Sequence, residues 1–488
     1  MSAQDGDVGL LVPGAHRARG LTGDRQVLRC LVRAEVDWVQ AQAEAGLVPS
    51  SAAQAARRVL ADEQLERCFD LADLAERGEL GGNPVIPVLA DLRAAVRDVD
   101  PQAATALHRG LTSQDVLDTA LMLVLDGALA EIGSSLRRAE TALARRAQEH
   151  RSTISVARTL TQHALPSVFG LRCAQWLEGL LDAHDRLRAL RPPVAVGGAA
   201  GTLAGSCALF PDAGDPAEQA LGLHRRWARA LGLSEASHVW HTSRQPVLDA
   251  GAALGSMCAA LGKIADDVLL LSRPELGELR EPTGPGRGVS SAMPQKQNPV
   301  LSVQLRRTAL SAPQQVAALF AAASSSVDER PDGAWHVEWP ALRELLRLSL
   351  SAASQLAELC EGLKADPQRM EQNLRGSGPA LLSERIVAAL KPHVPETADA
   401  TAAQRIQQAL AGAGPDADRA VDALEELTAG QRDEQGRTFG RDRLAALCDP
   451  RGYLGAAEHL IDRAVDRQAR SLRETRQPAD DHDQGATA

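Results

Sequence analysis

Between residues 246 and 271, apolar and small side chains recur at Val247, Gly251, Leu254, Cys258, Leu261, Ala265 and Val268, in steps of four and three. An α-helix turns once every 3.6 residues, so this spacing lays one narrow stripe along a single helix face. Pro246 suits the first turn, where a missing N–H removes no hydrogen bond. The pattern predicts a helix roughly 40 Å long. Gly251 and Ala265 in the stripe permit close approach of a neighbouring helix. Helical patterning also begins near Asp24 and runs through the 40s. It continues from Ser113 onward, covers 342–363, and resumes after Asp366-Pro367 to about Arg473. Pro84 and Pro87 punctuate the first region, and Gly110 precedes a new segment. Neither a repeat of fixed period nor an alternating series of strands is present.

The expected fold is therefore all-α. Its divisions are an N-terminal helical region over 1–107, a central helix bundle over 108–365, a C-terminal helical region over 366–475 and a disordered tail over 476–488. Residues 1–20, rich in Gly and polar side chains, are expected to be partly mobile.

Composition narrows the picture. Aromatic residues are only 2% of the 488, so the core must be built from Ala, Leu and Val, which favours close helix packing over a β-sandwich. A formal net charge of −10 argues against a general nucleic-acid or anionic-membrane binder. It leaves room for an anionic small-molecule substrate in a locally basic pocket. The seven cysteines are scattered and lack any Cys-x-x-Cys, so they are expected to be reduced thiols with no metal site. Without a signal-like start or a long apolar run, the expected location is the cytoplasm.

Chemistry concentrates in 284–299, Gly-Pro-Gly-Arg-Gly-Val-Ser-Ser-Ala-Met-Pro-Gln-Lys-Gln-Asn-Pro. Glycines on one side allow motion, and Pro294 and Pro299 stiffen the other. Such a segment suits a loop that closes over a substrate. Lys296 can neutralise a carboxylate, Asn298 can hydrogen-bond it, and a serine hydroxyl can exchange a proton. The plain alternative is a surface turn with an incidental lysine. A second stretch, His108-Arg-Gly-Leu-Thr112-Ser113-Gln-Asp115, leads into a helix. Thr112, Ser113 or Asp115 can cap it, or the helix start and its hydroxyls can bind a carboxylate. A third, Arg158-Thr-Leu160-Thr-Gln162-His163, carries a Gln-His pair that is either structural or substrate-directed.

The ordered motif Ser-Ser-x-Met-Pro-x-Lys-x-Asn-Pro resembles the signature loop of the fumarase/aspartase superfamily. His108–Asp115 resembles its first motif, and the stretch around Gln162-His163 its second. Further likeness lies in 197–204, 239–244, 328–339 and 447–455, and is greatest to the 3-carboxy-cis,cis-muconate cycloisomerase branch, over most of 24–470. The resemblance implies a homotetramer whose core is the central helix bundle. Each active site would collect motifs from different subunits and act on a small di- or tricarboxylate. It implies Ser290 as the base, with Thr112, Ser113, Gln162, His163, Lys296 and Asn298 binding substrate. Arg244 and Arg330 are candidates for further carboxylate binding or for structural ion pairs. His241, Trp335 and His336 are expected in packing and helix-end hydrogen bonds. No nucleotide loop or metal cluster is present in the sequence, and the implied chemistry uses no cofactor.

Departures from the family pattern carry mechanistic content. Many relatives have a proton-donating histidine where this chain has Leu160, paired with a glutamate where it has Val303. An amine, with a pKa of roughly 8–10, leaves poorly unless protonated, whereas a carboxylate with a pKa of about 4 departs as an anion. Nitrite is likewise a weakly basic anion. The expected reaction is thus β-elimination of such an anion; the resemblance extends to a specialised branch of nitrosuccinate lyases, which implies a succinate-like acid, with nitrosuccinate giving fumarate and nitrite as the leading case. Lactonising cycloisomerisation is the alternative, and a catalytically silent helical scaffold the second. Val289, Gln295 and Gln297 stand where the branch carries Gly, His and Arg, and are expected to decide substrate identity.

Overall fold

The stripe at 246–271 forms the helix Gln245–Leu271 in a computed structural model that describes residues 9–290, 292, 293 and 295–476. All seven stripe residues are buried. The helix Val300–Ser324 runs antiparallel against it. A Cβ added at Gly251 would lie 2.8 Å from Leu319, at Gly255 2.8 Å from Val316, and at Gly262 2.5 Å from Ala309. Side chains do not approach so closely, so the glycines set how near the two helices come. Other long helices are Asp24–Glu44, Ser113–Glu149, Phe169–Ala189, Gly333–Gly362 and Ala457–Arg476. The fold is all-α, as the periodicity predicts. From Ala15 onward the glycine-rich start already forms helical turns, at Ala15–Arg17 and Arg19–Thr22. The tail beyond 476 and Ser291 lie outside the described residues.

Of the described residues, 9–136, 182–262 and 304–356 cluster into one compact unit, and those within 137–181, 263–303 and 357–476 into a second. In the first, Ala, Leu and Val fill the core, and Trp38, Trp227 and Trp240 sit deep within it. Trp38 and Trp227 meet edge to face at 5.4 Å. Trp38, Trp227 and Trp240 are fully buried, yet each indole N–H donates to a backbone carbonyl at 2.9 Å, of Arg109, Ala34 and Val194 respectively. Burial therefore strands none of these three donors.

The second unit carries the departure from a purely helical pattern. Ile154–Thr159 and Gln162–Val168 form an antiparallel hairpin, with register running from Ile154↔Val168 to Thr159↔Gln162. Its strands are short and one contains Pro166, which hides the alternation that marks longer strands. A second pair joins Leu279–Arg280 to Lys364–Ala365. Asp366 caps the helix Pro367–Arg375 through the N–H of Arg369, and Pro367 occupies its first turn. A separate apolar cluster that includes Ile386, Ile406, Leu410, Leu424, Phe439 and Leu444 holds the C-terminal helices together. All seven cysteines are free thiols. Among the described residues no helix is long and apolar enough to cross a membrane.

Candidate active site

The Ser290 loop hangs between two anchored ends. Glu281 follows the strand Leu279–Arg280, and its carboxylate accepts from the backbone N–H groups of Leu301 and Ser302 at 3.0 and 2.6 Å. Those groups open the helix Val300–Ser324, where a negative charge is favoured. Within the loop, the Asn298 backbone N–H and Nδ2 both donate to the Gly288 carbonyl, at 2.9 and 3.2 Å. Gln297 Nε2 donates to the Arg287 carbonyl at 2.8 Å, and Val289 bridges Gln297 in antiparallel fashion. Arg287 pairs with Glu358 on the helix Gly333–Gly362. The loop is thus clasped at its neck. Gly288 has φ +68°, and a Cβ there would lie 2.4 Å from the Asn298 carbonyl oxygen, so no other residue fits without opening the clasp.

Beyond the clasp, Ser290 Oγ accepts from the N–H groups of Ala292 and Met293, at 3.4 and 3.2 Å. Two backbone donors aimed at one hydroxyl oxygen stabilise negative charge on it. Lys296 is exposed, and its ammonium has no polar side-chain partner among the described residues. Gln297, expected to bear on substrate identity, has its amide engaged in the clasp.

The hairpin tip is the two-residue turn Leu160–Thr161, with φ +48° and +72°. Two positive values mark the turn that matches strand twist. A leucine there is strained by roughly 1–2 kcal/mol, and its side chain is 95% exposed. Val303, on the first turn of the helix Val300–Ser324, is also exposed, at 52%. Neither apolar side chain is core filling. Gln162 and His163 line a cavity of about 800 Å³ together with Ser377 and Glu384. Burial, helped by the nearby Arg158 cation, lowers the His163 pKa, with Glu278 opposing. Arg158 forms a fork with Glu278 at 2.5 and 3.2 Å, and Asn373 donates to the same carboxylate at 2.8 Å. The hairpin is thereby tied to the strand that leads into the Ser290 loop. Ser290, Lys296 and Asn298 share the loop and do not line this cavity.

In the first unit, Thr112 immediately precedes the helix Ser113–Glu149, and Ser113 opens it. Asp115 reaches back to the Thr112 N–H at 2.8 Å, holds the Gly198 N–H at 3.1 Å and bonds His241 Nε2 at 2.8 Å. It acts as the cap considered from the sequence. His241 and Trp335 take the structural roles expected of them. Trp335 Nε1 donates to Asp118 at 2.8 Å, and His336 bonds the Gly82 carbonyl at 2.7 Å.

Arg244 is only 3% exposed and bonds Asp118 at 2.7 and 3.1 Å and Glu338 at 2.7 to 3.1 Å. Burial works against its charge, yet the Asp118 and Glu338 carboxylates together hold its pKa above the usual value. With both carboxylates in place, its guanidinium presents no free edge to a substrate, which is the ion-pair alternative of the two. Arg330 lies half-buried in the connection before the helix Gly333–Gly362, with no side-chain partner among the described residues. The sequence offered no signal for Glu278, Asn373, Ser377 or Glu384, because only folding brings them beside the hairpin. Among the described residues no cluster of His, Cys, Asp and Glu is arranged to hold a metal ion.

The model of a lyase family matches residues 17–312. The chain is 42% identical over 463 residues to nitrosuccinate lyase of Streptomyces davaonensis, covering 94% of each protein. It is 36% identical to the 3-carboxy-cis,cis-muconate cycloisomerase of Bradyrhizobium diazoefficiens, over 94% of this chain and 97% of that one. Among solved structures, the 3-carboxy-cis,cis-muconate lactonizing enzyme of Pseudomonas putida superposes with a TM-score of 0.80 at 32% identity, covering 93% of this chain and 97% of the other. From its motifs in order, its helical fold and these likenesses, the chain belongs to the lyase family of the fumarase/aspartase superfamily.

Proposed function

We propose that this superfamily enzyme removes a weakly basic anion from a succinate-like acid, with nitrosuccinate giving fumarate, nitrite and one proton. The observation that carries this reading is the pair Leu160 and Val303. Both are exposed and apolar where an acid pair would assist a basic leaving group. Likeness to a nitrosuccinate lyase along nearly the whole chain supports it.

In the proposed step Ser290 takes the proton from carbon next to a carboxylate. The N–H groups of Ala292 and Met293 favour the charged form of its oxygen. The C–H electron pair moves into the neighbouring carboxylate, giving an aci-carboxylate that Lys296 and Asn298 stabilise. That pair then forms the double bond as the carbon–nitrogen bond breaks and nitrite leaves. Thr112, Ser113, Gln162, His163 and Arg330 hold the remaining oxygens, while Arg244 acts from the interior through Asp118 and Glu338. We place these residues in a homotetramer with shared sites. Exposed Leu310 and Phe320, at 66% and 48% on the helix Val300–Ser324, support that assembly.

Muconate cycloisomerisation is the second reading, favoured by the likeness to the Bradyrhizobium enzyme. Purified protein is incubated with nitrosuccinate and with 3-carboxy-cis,cis-muconate, monitoring fumarate absorbance, nitrite and lactone. Fumarate and nitrite appearing together, and lost by at least 100-fold in Ser290→Ala, supports elimination. Lactone without nitrite selects the alternative. An active enzyme unaffected by Ser290→Ala rejects the assigned base.

A further inference from the structure

His163 Nδ1 and Ser377 Oγ lie 2.5 Å apart although 214 positions separate them in the chain. The contact is braced from both sides. Ser377 follows the helix Pro367–Arg375, which Arg369 and Asn373 tie to the Leu276 carbonyl, each at 2.9 Å. Asn373 also holds Glu278, and Glu278 grips Arg158 on the strand paired with that of His163. The two sides of the contact therefore belong to one cross-tied assembly.

A neutral imidazole has one N–H and one lone pair, and the partner of one nitrogen decides what the other presents. The Arg158 cation and the Glu278 carboxylate act on His163, the Ser377 hydroxyl touches it, and the Glu384 carboxylate lines the same cavity. We infer that Ser377 is a positioning residue: its hydroxyl donates to His163 Nδ1, so that a neutral imidazole turns its Nε2–H toward the cavity. A lone pair there would repel an anionic oxygen, whereas the N–H binds one. The inference rests on the proposal that His163 contacts the substrate, and it identifies the bound group as an anionic oxygen of the acid or of its leaving anion.

An imidazole nitrogen with a free lone pair attacks a carbonyl of diethyl pyrocarbonate and is ethoxycarbonylated as ethyl carbonate leaves, and peptide-resolved mass spectrometry reads each histidine separately. With Nε2 protonated and the Nδ1 lone pair held by Ser377, His163 is modified slowly compared with the exposed His459. Ser377→Ala releases Nδ1 and speeds modification of His163 about 5-fold, the scale of one neutral hydrogen bond, and Ser377→Thr restores the slow rate. On whichever acid is turned over, Ser377→Ala lowers kcat/KM by a similar factor and Ser377→Thr retains it. Equal modification of His163 in wild type and Ser377→Ala overturns the inference. If neither acid is turned over, the functional proposal fails, and the modification rates still decide the tautomer.

Discussion

Gly288→Ala tests whether the clasp at the loop neck keeps Ser290 in place. The native φ of +68° is strained for alanine, costing roughly 1–2 kcal/mol. The new methyl would lie 2.4 Å from the Asn298 carbonyl oxygen and 2.5 Å from Gln297 Nε2. The first is backbone and cannot swing aside, so the two arms must part. Parting them releases three hydrogen bonds, of 2.9, 3.2 and 2.8 Å, each contributing about 1 kcal/mol. The sum is about 4–5 kcal/mol. If only 3 kcal/mol of it is realised, the open population still rises by about 100-fold. Trypsin cuts after Arg287 and Lys296, so native-state proteolysis followed by mass spectrometry reports that population. The expected result is faster cleavage at both bonds by about two orders of magnitude, with Tm changed by less than about 2 °C and kcat/KM reduced alongside. Cleavage within twofold of wild type would refute the clasp.

Two further substitutions probe the interior. Arg244→Met leaves Asp118 and Glu338 buried without their cation, and chemical denaturation should show a loss of about 3–5 kcal/mol; Arg244→Lys, which keeps the charge without the planar fork, should recover only part of it. Burial pulls the His224 pKa down to about 4, against a weaker upward pull from Asp115. The folded state therefore favours the neutral ring. This contribution is present above pH 6.5 and is lost as pH falls from 6.5 toward 4, about 3 kcal/mol in all. Thermal melts of His224→Gln across that range should fall less steeply than those of wild type, and parallel curves would exclude the assignment.

Local order was legible where it depends on neighbours in sequence. The helix Gln245–Leu271 begins one residue before its predicted start, because stripe and proline both act within a few turns. Asp115 could be read as a cap, since its partner Thr112 is three residues away. The hairpin at 154–168 was not legible. Its strands are short, and its turn is made by Leu160 and Thr161 instead of the glycine and asparagine that usually announce one.

By itself the sequence determined the helical class, the order of the motifs and the chemical groups they supply, because these depend on residue type and spacing alone. Tertiary structure decided how the side chains are used. Arg244 is surrounded by two carboxylates from distant helices, which consume the hydrogen bonds a substrate would need. Gln297 closes the loop on Arg287 by a side-chain bond that depends on the path of the loop. Ser377 meets His163 because a hairpin and a helix are braced together by Arg158, Glu278 and Asn373. Hydrogen bonds and ion pairs form only at contact distance, and contact between residues far apart in sequence exists only in the folded chain.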